Sequence, residues 1–192
     1  MRQEVVLVDE FDQAIGRAEK QQAHIDGALH RAFSIFIFNS AGQLLLQQRA
    51  LHKYHSAGLW SNSCCSHPQP DQPLLEAAHQ RLQEEMGFRC ELHKAFQFTY
   101  KTRLENGLTE HEVDHVLIGT FEGQPEPNSE EVKAYRWVSL PELNVALQQQ
   151  PAHYSYWLKH CWPLLLEHLR LDPNKIIKQL KLSPNVGQFD AH

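Results

Sequence analysis

Two thiols and an imidazole stand almost side by side in Trp60-Ser61-Asn62-Ser63-Cys64-Cys65-Ser66-His67-Pro68, and Arg81-Leu82-Gln83-Glu84-Glu85-Met86-Gly87 soon adds a guanidinium and two carboxylates. These groups suit chemistry better than core filling. A thiol beside a cation or metal ion can exchange protons near neutral pH, and imidazoles with carboxylates can hold a divalent ion. Pro68 reads as a strand stop, so the cysteine stretch is expected to be a loop at the rim of a pocket.

Other segments carry complementary groups. His24, His30, His67, Glu110 and Glu112 form a mixed nitrogen and oxygen set that suits Zn, Mn or a similar divalent ion if the fold brings them together. On spacing alone the better reading is scattered surface histidines and a solvated glutamate pair. Cys64-Cys65-x-His67 lacks a second Cys/His pair at finger spacing, which argues against a structural zinc site. Lys20, Arg49, Lys53 and Arg81 could together neutralise a diphosphate, although each taken singly is an ordinary surface charge. Trp60 and Trp157 are either core residues or aromatic faces able to stabilise a cation.

The elements that must position these groups follow from periodicity. Residues 4–8 read as a strand, and a turn through Asp9–Gln13 and Gly16 follows. His24 and His30 share a loop. Phe33–Phe38 and Leu44–Leu46, separated by Asn39-Ser40-Ala41-Gly42, read as a buried hairpin, and 49–58 as a basic, histidine-rich loop before a short strand over 59–63. From Pro73, Leu74, Ala77, Ala78, Leu82, Glu85 and Met86 recur at helical spacing up to Gly87, which puts Arg81 and Glu85 on one face. Strands over 90–101 and 110–121 flank a Glu105-Asn106-Gly107 turn, and Glu110 and Glu112 point to one side. A strand at 135–138 precedes the capping box Ser139-x-x-Glu142 and a helix to about Gln149. Residues 153–171 form a longer helix, interrupted or kinked at Pro163, with a further helix over Asp172–Lys181 and a frayed tail from Ser183.

Composition narrows the classes. A chain of 192 residues with 42% hydrophobic content suits one domain, placed at 1–182 with a flexible tail over 183–192. A net charge of -5 argues against a nucleic-acid partner. No apolar run approaches membrane-span length, the acidic N-terminus is unlike a signal peptide, and adjacent Cys64 and Cys65 make a poor disulfide framework, so a cytoplasmic setting with reduced thiols is expected.

From Asn62 to Pro68 the chain strongly resembles the type 1 isopentenyl-diphosphate delta-isomerases, a branch of the Nudix-fold proteins. His24 and His30 with Arg31-Ala32-Phe33-Ser34, Arg49-Ala50-Leu51-x-Lys53, Arg81-x3-Glu85-x-Gly87, Tyr100, Glu110-x-Glu112 and Tyr154-Ser155-x-Trp157 follow in family order over roughly residues 4–160. The resemblance implies an α+β Nudix-type mixed sheet sandwiched between helices, with extra C-terminal helices. It implies interconversion of isopentenyl and dimethylallyl diphosphate through a tertiary carbocation. Cys65 and Glu112 match the family's proton-transfer residues, with Tyr100 beside Glu112 and Trp157 as the cation-stabilising ring. His24, His30, His67, Glu110 and Glu112 match ligands of one divalent ion (Mn, Zn or Mg). Glu85, with the Cys65 carbonyl, matches a second ion, Mg at the diphosphate, and Lys20, Arg49, Lys53 and Arg81 match diphosphate-binding positions. No flavin and no membrane partner are implied, and the chain is expected to be a monomer or weak homodimer. Ser66 stands where relatives commonly have Gly, Gln80 and Arg81 replace the Arg-Glu pair of the hydrolase box, and Cys64 matches no family role. The rival readings are a Nudix diphosphate hydrolase and a non-catalytic prenyl-diphosphate-binding module.

Overall fold

Phe33, Ile35, Ile37 and Phe38 leave β3 (His30–Phe38) with almost no polar face, and the reason is that helices cover both sides of it. In the computed structural model, which describes residues 4–53, 55–104 and 107–171, this strand is the spine of a nine-stranded mixed sheet. Along its whole length β3 pairs in parallel with β8 (Thr109–Thr120), from His30 beside Glu112 to Phe38 beside Thr120. Three antiparallel partners share its other edge: β1 (Glu4–Val8) at His30, β6 (Cys64–Ser66) at residues 33–35 and β4 (Leu44–Arg49) at Phe38. The sheet is completed by β2 (Ala14–Glu19), β5 (Trp60–Ser61), β7 (Leu92–Arg103) and β9 (Val132–Val138).

The two-residue period sorts the core into two layers. Phe33, Ile35, Ile37, Leu45 and Leu117 pack against Ala77, Ala78, Leu82 and Met86 of α2 (Leu74–Met86). Phe36, Phe38, Leu46, Val116 and Ile118 lie under α3 (Leu140–Gln149) and α4 (Tyr156–Leu171), against Leu143, Leu158, Trp162 and Leu165. The expected α+β sheet between helices is thus present. Gly87 ends α2 with φ 79, and a Cβ there would come within 2.3 Å of the Glu126 carbonyl oxygen, so no other residue fits without moving backbone. The capping box at Ser139 and Glu142 starts α3 as expected. Among the described residues no helix is long and apolar enough to cross a membrane.

Several local readings change. The segment from His24 to His30 is not a loop: His24 is on helix α1 (Lys20–Asp26) and His30 opens β3, with only Gly27–Leu29 between, because Gly27 (φ 63) caps α1 abruptly. Gly16 belongs to β2 and not to the turn, since it pairs with Leu7. Strands β3 and β4 meet only at Phe38 and Leu44, because β6 takes the edge of β3 that a longer hairpin would need. Cys64, Cys65 and Ser66 form that strand in place of the expected rim loop. Helix α4 runs through Pro163 without interruption: one lost N–H bond is outweighed by the packing of Leu158, Trp162 and Leu165. Glu105 and Asn106 of the expected turn, the expected helix over 172–181 and the expected tail lie outside the described residues.

Candidate active site

Parallel pairing of β3 with β8 sets His30 beside Glu112, and the strand period puts Glu110 and Glu112 on the same face. Helix α1 adds His24, and His67 follows directly on β6. The candidate ligand atoms of these five residues lie within 4.8 Å of one another. The outer ring nitrogens of His24 and His30 are engaged, Nδ1 lying 2.6 Å from the Lys20 carbonyl oxygen and 2.8 Å from that of Ala28. With Nδ1–H donating outward, each Nε2 turns a lone pair inward, to 3.3 Å from Glu110 Oε2 and 3.5 Å from Glu112 Oε1. Both Nε2 atoms and Glu110 Oε2 are buried with no hydrogen-bond partner. Lone pairs facing lone pairs repel unless a positive charge lies between them, so the donor set fits a divalent cation. His67 completes the set, with Nε2 2.8 Å from Glu112 Oε1.

His67 and Glu112 have the protonation states a ligand needs, whereas at His24 burial is outweighed by Glu110, which raises it, so an ion would displace a proton there. Burial, reinforced by Lys20 and the neighbouring imidazoles, pushes His67 well below the usual histidine range, leaving it neutral as a ligand must be. Burial would raise Glu112, but the nearby His30 imidazole, with help from the Tyr100 hydroxyl, brings it down to about 2. Tyr100 stands opposite Glu112 in the β7–β8 register, and its hydroxyl donates to Glu112 Oε2 at 2.7 Å. Its own ionisation is pushed up by burial and by the charges of Glu112 and Glu110.

The period of two also separates the adjacent cysteines. Cys64 points into the α2 layer, fully buried, whereas Cys65 lines the cavity that holds the histidines and glutamates. Asn62 donates its Nδ2 protons to the Ile35 and Cys64 carbonyls, both at 3.1 Å, which turns Oδ1 toward Cys65 to accept from Sγ at 2.9 Å. Ser34 Oγ lies 3.5 Å from the same sulfur and donates to Asp114 Oδ2 at 2.7 Å. Burial, followed by the charge of Asp114, pushes the Cys65 thiol up to about 12 against the opposing hydrogen bonds of Ser34 and Asn62. A raised value keeps the proton on sulfur at every pH below it. Cys65 in the metal-free protein is therefore expected to react with iodoacetamide at pH 7 about a thousandfold more slowly than an unperturbed cysteine. Its rate should climb about tenfold per pH unit up to pH 10, as mass spectrometry of the Cys65 peptide would show. Fast labelling at pH 7 would contradict a protonated thiol.

One cavity of about 450 Å³ collects these groups with the expected cations Lys20, Arg49, Lys53 and Arg81 and with Trp157. Trp157 is fixed by its Nε1–H, which donates to Ser61 Oγ at 2.8 Å, and by Ser155 N–H, which donates to the Trp60 carbonyl at 2.8 Å. Arg49 Cζ stands 5.3 Å from the centre of the Trp157 ring. Arg81 pairs with Glu85 at 2.6 Å and Glu84 at 2.5 Å, and Lys53 pairs with Glu131. Glu85 also accepts from Gln47 at 2.9 Å. Glu85 and Cys65 line the cavity but stand outside the group of five converging donors.

Sequence reading passed over four residues here. Asp114 extends the Glu110, Glu112 alternation by one step and is buried behind Ser34, so the period of two could have found it. Asn62 stood at the start of the Asn62–Pro68 motif without a role, and Glu131 and His55 carried no such signal. His55 is buried, although the loop around it reads as polar and solvated; burial lowers it to about 3 against the charge of Glu110.

A family model described as NUDIX domain matches residues 28–161. Among solved structures, DR0079 from Deinococcus radiodurans superposes with a TM-score of 0.70 at 17% identity, covering 84% of this chain and 98% of that one, a likeness of fold. Isopentenyl-diphosphate Delta-isomerase 2 of Aromatoleum aromaticum is 53% identical over 161 residues, 84% of this chain and 85% of the relative. Isopentenyl-diphosphate Delta-isomerase of Burkholderia multivorans is 51% identical over 161 residues, 84% and 91% of the two chains. Identity at that level, over most of both partners, goes far beyond what a shared fold demands, and the chain belongs to the isopentenyl-diphosphate Delta-isomerase family of NUDIX-domain proteins.

Proposed function

We propose that the chain interconverts isopentenyl and dimethylallyl diphosphate by moving protons, with Cys65 and Glu112 as the two proton-transfer residues. The forward reaction adds a proton to the terminal CH₂ of the alkene and removes one from the carbon next to the CH₂ that bears the diphosphate. The positive charge between those events rests on a tertiary carbon. The observation that carries this reading is one cavity holding a protonated thiol, a carboxylate bonded to a tyrosine hydroxyl, and an indole. A reversible reaction uses the same pair in both directions, each residue giving in one and taking in the other. The Trp157 ring offers its face to the developing cation. Tyr100 holds Glu112 in place and keeps Oε2 supplied with a donor.

His24, His30, His67, Glu110 and Glu112 would hold one divalent ion, Mn, Zn or Mg, whose bound charge lowers the pKa of neighbouring acids. Arg49, Lys53, Arg81 and Lys20 would take the diphosphate. Its oxygens would replace Glu131 on Lys53 and Glu84 on Arg81, which now neutralise those cations. Mg would arrive with the diphosphate, with Glu85 and the Cys65 carbonyl as the protein contacts. A single domain over 1–182 acting in the cytoplasm completes the proposal. The test is incubation with isopentenyl diphosphate and divalent metal in deuterated water. Dimethylallyl diphosphate carrying deuterium in a methyl group is expected; release of phosphate without labelled product would favour hydrolysis and overturn the reading.

A further inference from the structure

Among the described residues, His55 is the buried histidine of the cavity that no sequence motif assigned, and its surroundings are specific. It lies in the segment between β4 and β5, which also carries Lys53 and begins just after Arg49. Its Nε2 is 3.8 Å from Glu110 Oε1, the carboxylate oxygen that does not face His24, while Oε2 faces His24 Nε2 at 3.3 Å. Its Nδ1 lies 3.4 Å from Ser56 Oγ, a hydroxyl able to donate to it, which leaves the ring proton for Nε2 on the Glu110 side. Its ring meets Trp157 edge-on, with centroids 5.9 Å apart at 81°. The His55 carbonyl accepts from Arg49 Nη2 at 3.3 Å. Ser56 has φ 50, a left-handed conformation that serine adopts at a cost, so the backbone holds strain where it turns His55 inward.

His55 is not placed as a sixth ligand. The three histidines of the cluster have ring centroids 4.9 to 5.7 Å apart, whereas His55 stands 6.3 Å from His24 and outside the converging set. We propose that His55 is a positioning residue for the metal site: its Nε2–H backs the outer oxygen of Glu110, keeping Oε2 aimed at the cation, and so ties the loop bearing Lys53 to the metal site. At 3.8 Å the contact is electrostatic, and an approach of roughly 0.6 Å would make it a hydrogen bond; losing such an outer partner of a ligating carboxylate typically weakens metal binding by about 10–100-fold. The inference rests on the metal site proposed above, but its test reads metal affinity and does not depend on the isomerase activity.

His55→Leu keeps volume and removes the donor, whereas His55→Gln places an amide N–H at a similar reach. Zn affinity of the full chain is measured by chelator competition, and Co binding by visible absorption. The expected result is Zn binding about 10–100-fold weaker in His55→Leu and within about threefold of wild type in His55→Gln, with an unchanged Co spectrum in both. Wild-type affinity in His55→Leu overturns the proposal. Equal weakening in both variants overturns it too, because ring packing and not the donor would then matter. A Co spectrum altered in His55→Leu makes His55 a ligand and refutes the positioning role. A wild-type chain that binds neither ion refutes the metal site itself, and deuterium incorporation judges the isomerase reading separately.

Discussion

Cys65→Ala is expected to lower kcat for isomerisation by about two to four orders of magnitude, the usual contribution of a positioned proton-transfer group, while Cys64→Ala stays within about tenfold of wild type. The contrast comes from strand geometry. Both cysteines lie on β6, so consecutive side chains face opposite sides of the sheet: Cys65 lines the cavity under Asn62 and Ser34, and Cys64 packs in the α2 layer against Ile35, Ala78 and Leu82. Cys64→Ala removes a sulfur from that layer and is read as a lower unfolding temperature with normal turnover of the folded fraction. Cys65→Ala should keep its bound metal, because Cys65 is not among the five converging donors. The pair is measured side by side, as initial rates with isopentenyl diphosphate and as metal per chain by mass spectrometry. Equal loss in both variants would remove Cys65 from the mechanism.

Glu112→Gln is expected to damage two functions at once, with activity down by about 10²–10⁴ and bound metal reduced as well. Glu112 is engaged on both oxygens: Oε1 lies 2.8 Å from His67 and 3.5 Å from His30, and Oε2 accepts the Tyr100 hydroxyl at 2.7 Å. An amide offers one acceptor oxygen and two N–H donors. If the oxygen keeps Tyr100, the NH₂ group turns toward the Nε2 atoms that should face a cation, and if it turns inward the tyrosine loses its acceptor. Either orientation leaves a buried group badly matched. Metal content separates this from a purely catalytic defect: a metal-free wild type prepared with chelator should also be inactive and regain activity on adding divalent ion. A Glu112→Gln chain with full activity, or activity persisting in verified metal-free protein, would exclude the roles given to the carboxylate and its ion.

Strand and helix types were legible where one face or both faces of an element are buried. The run Phe33–Phe38, the alternation of Glu110 and Glu112, and the spacing from Leu74 to Met86 with Gly87 after it each correspond to an observed element. Local rules failed where long-range pairing decided the outcome. Cys64-Cys65-Ser66 reads as a loop because it is short and followed by Pro68, yet β3 offers an open edge at residues 33–35 and the segment becomes a strand there. That pairing alone makes one cysteine face the cavity and the other the core. His24 and His30 look like neighbours on a loop, although a helix cap and a strand start aim both at the same point.

The amino-acid sequence by itself determined which chemical groups the chain carries, the alternation that puts Glu110 and Glu112 on one side, and the helical face shared by Arg81 and Glu85, because these depend only on backbone periods of two and 3.6 residues. Tertiary structure decided the rest. Five donors spread from residue 24 to residue 112 converge within 4.8 Å only because β3 and β8 pair in parallel with α1 and β6 alongside. His55 becomes a buried partner of Glu110 only because its loop folds back over the site, a contact between residues 55 apart in the chain that no local pattern encodes.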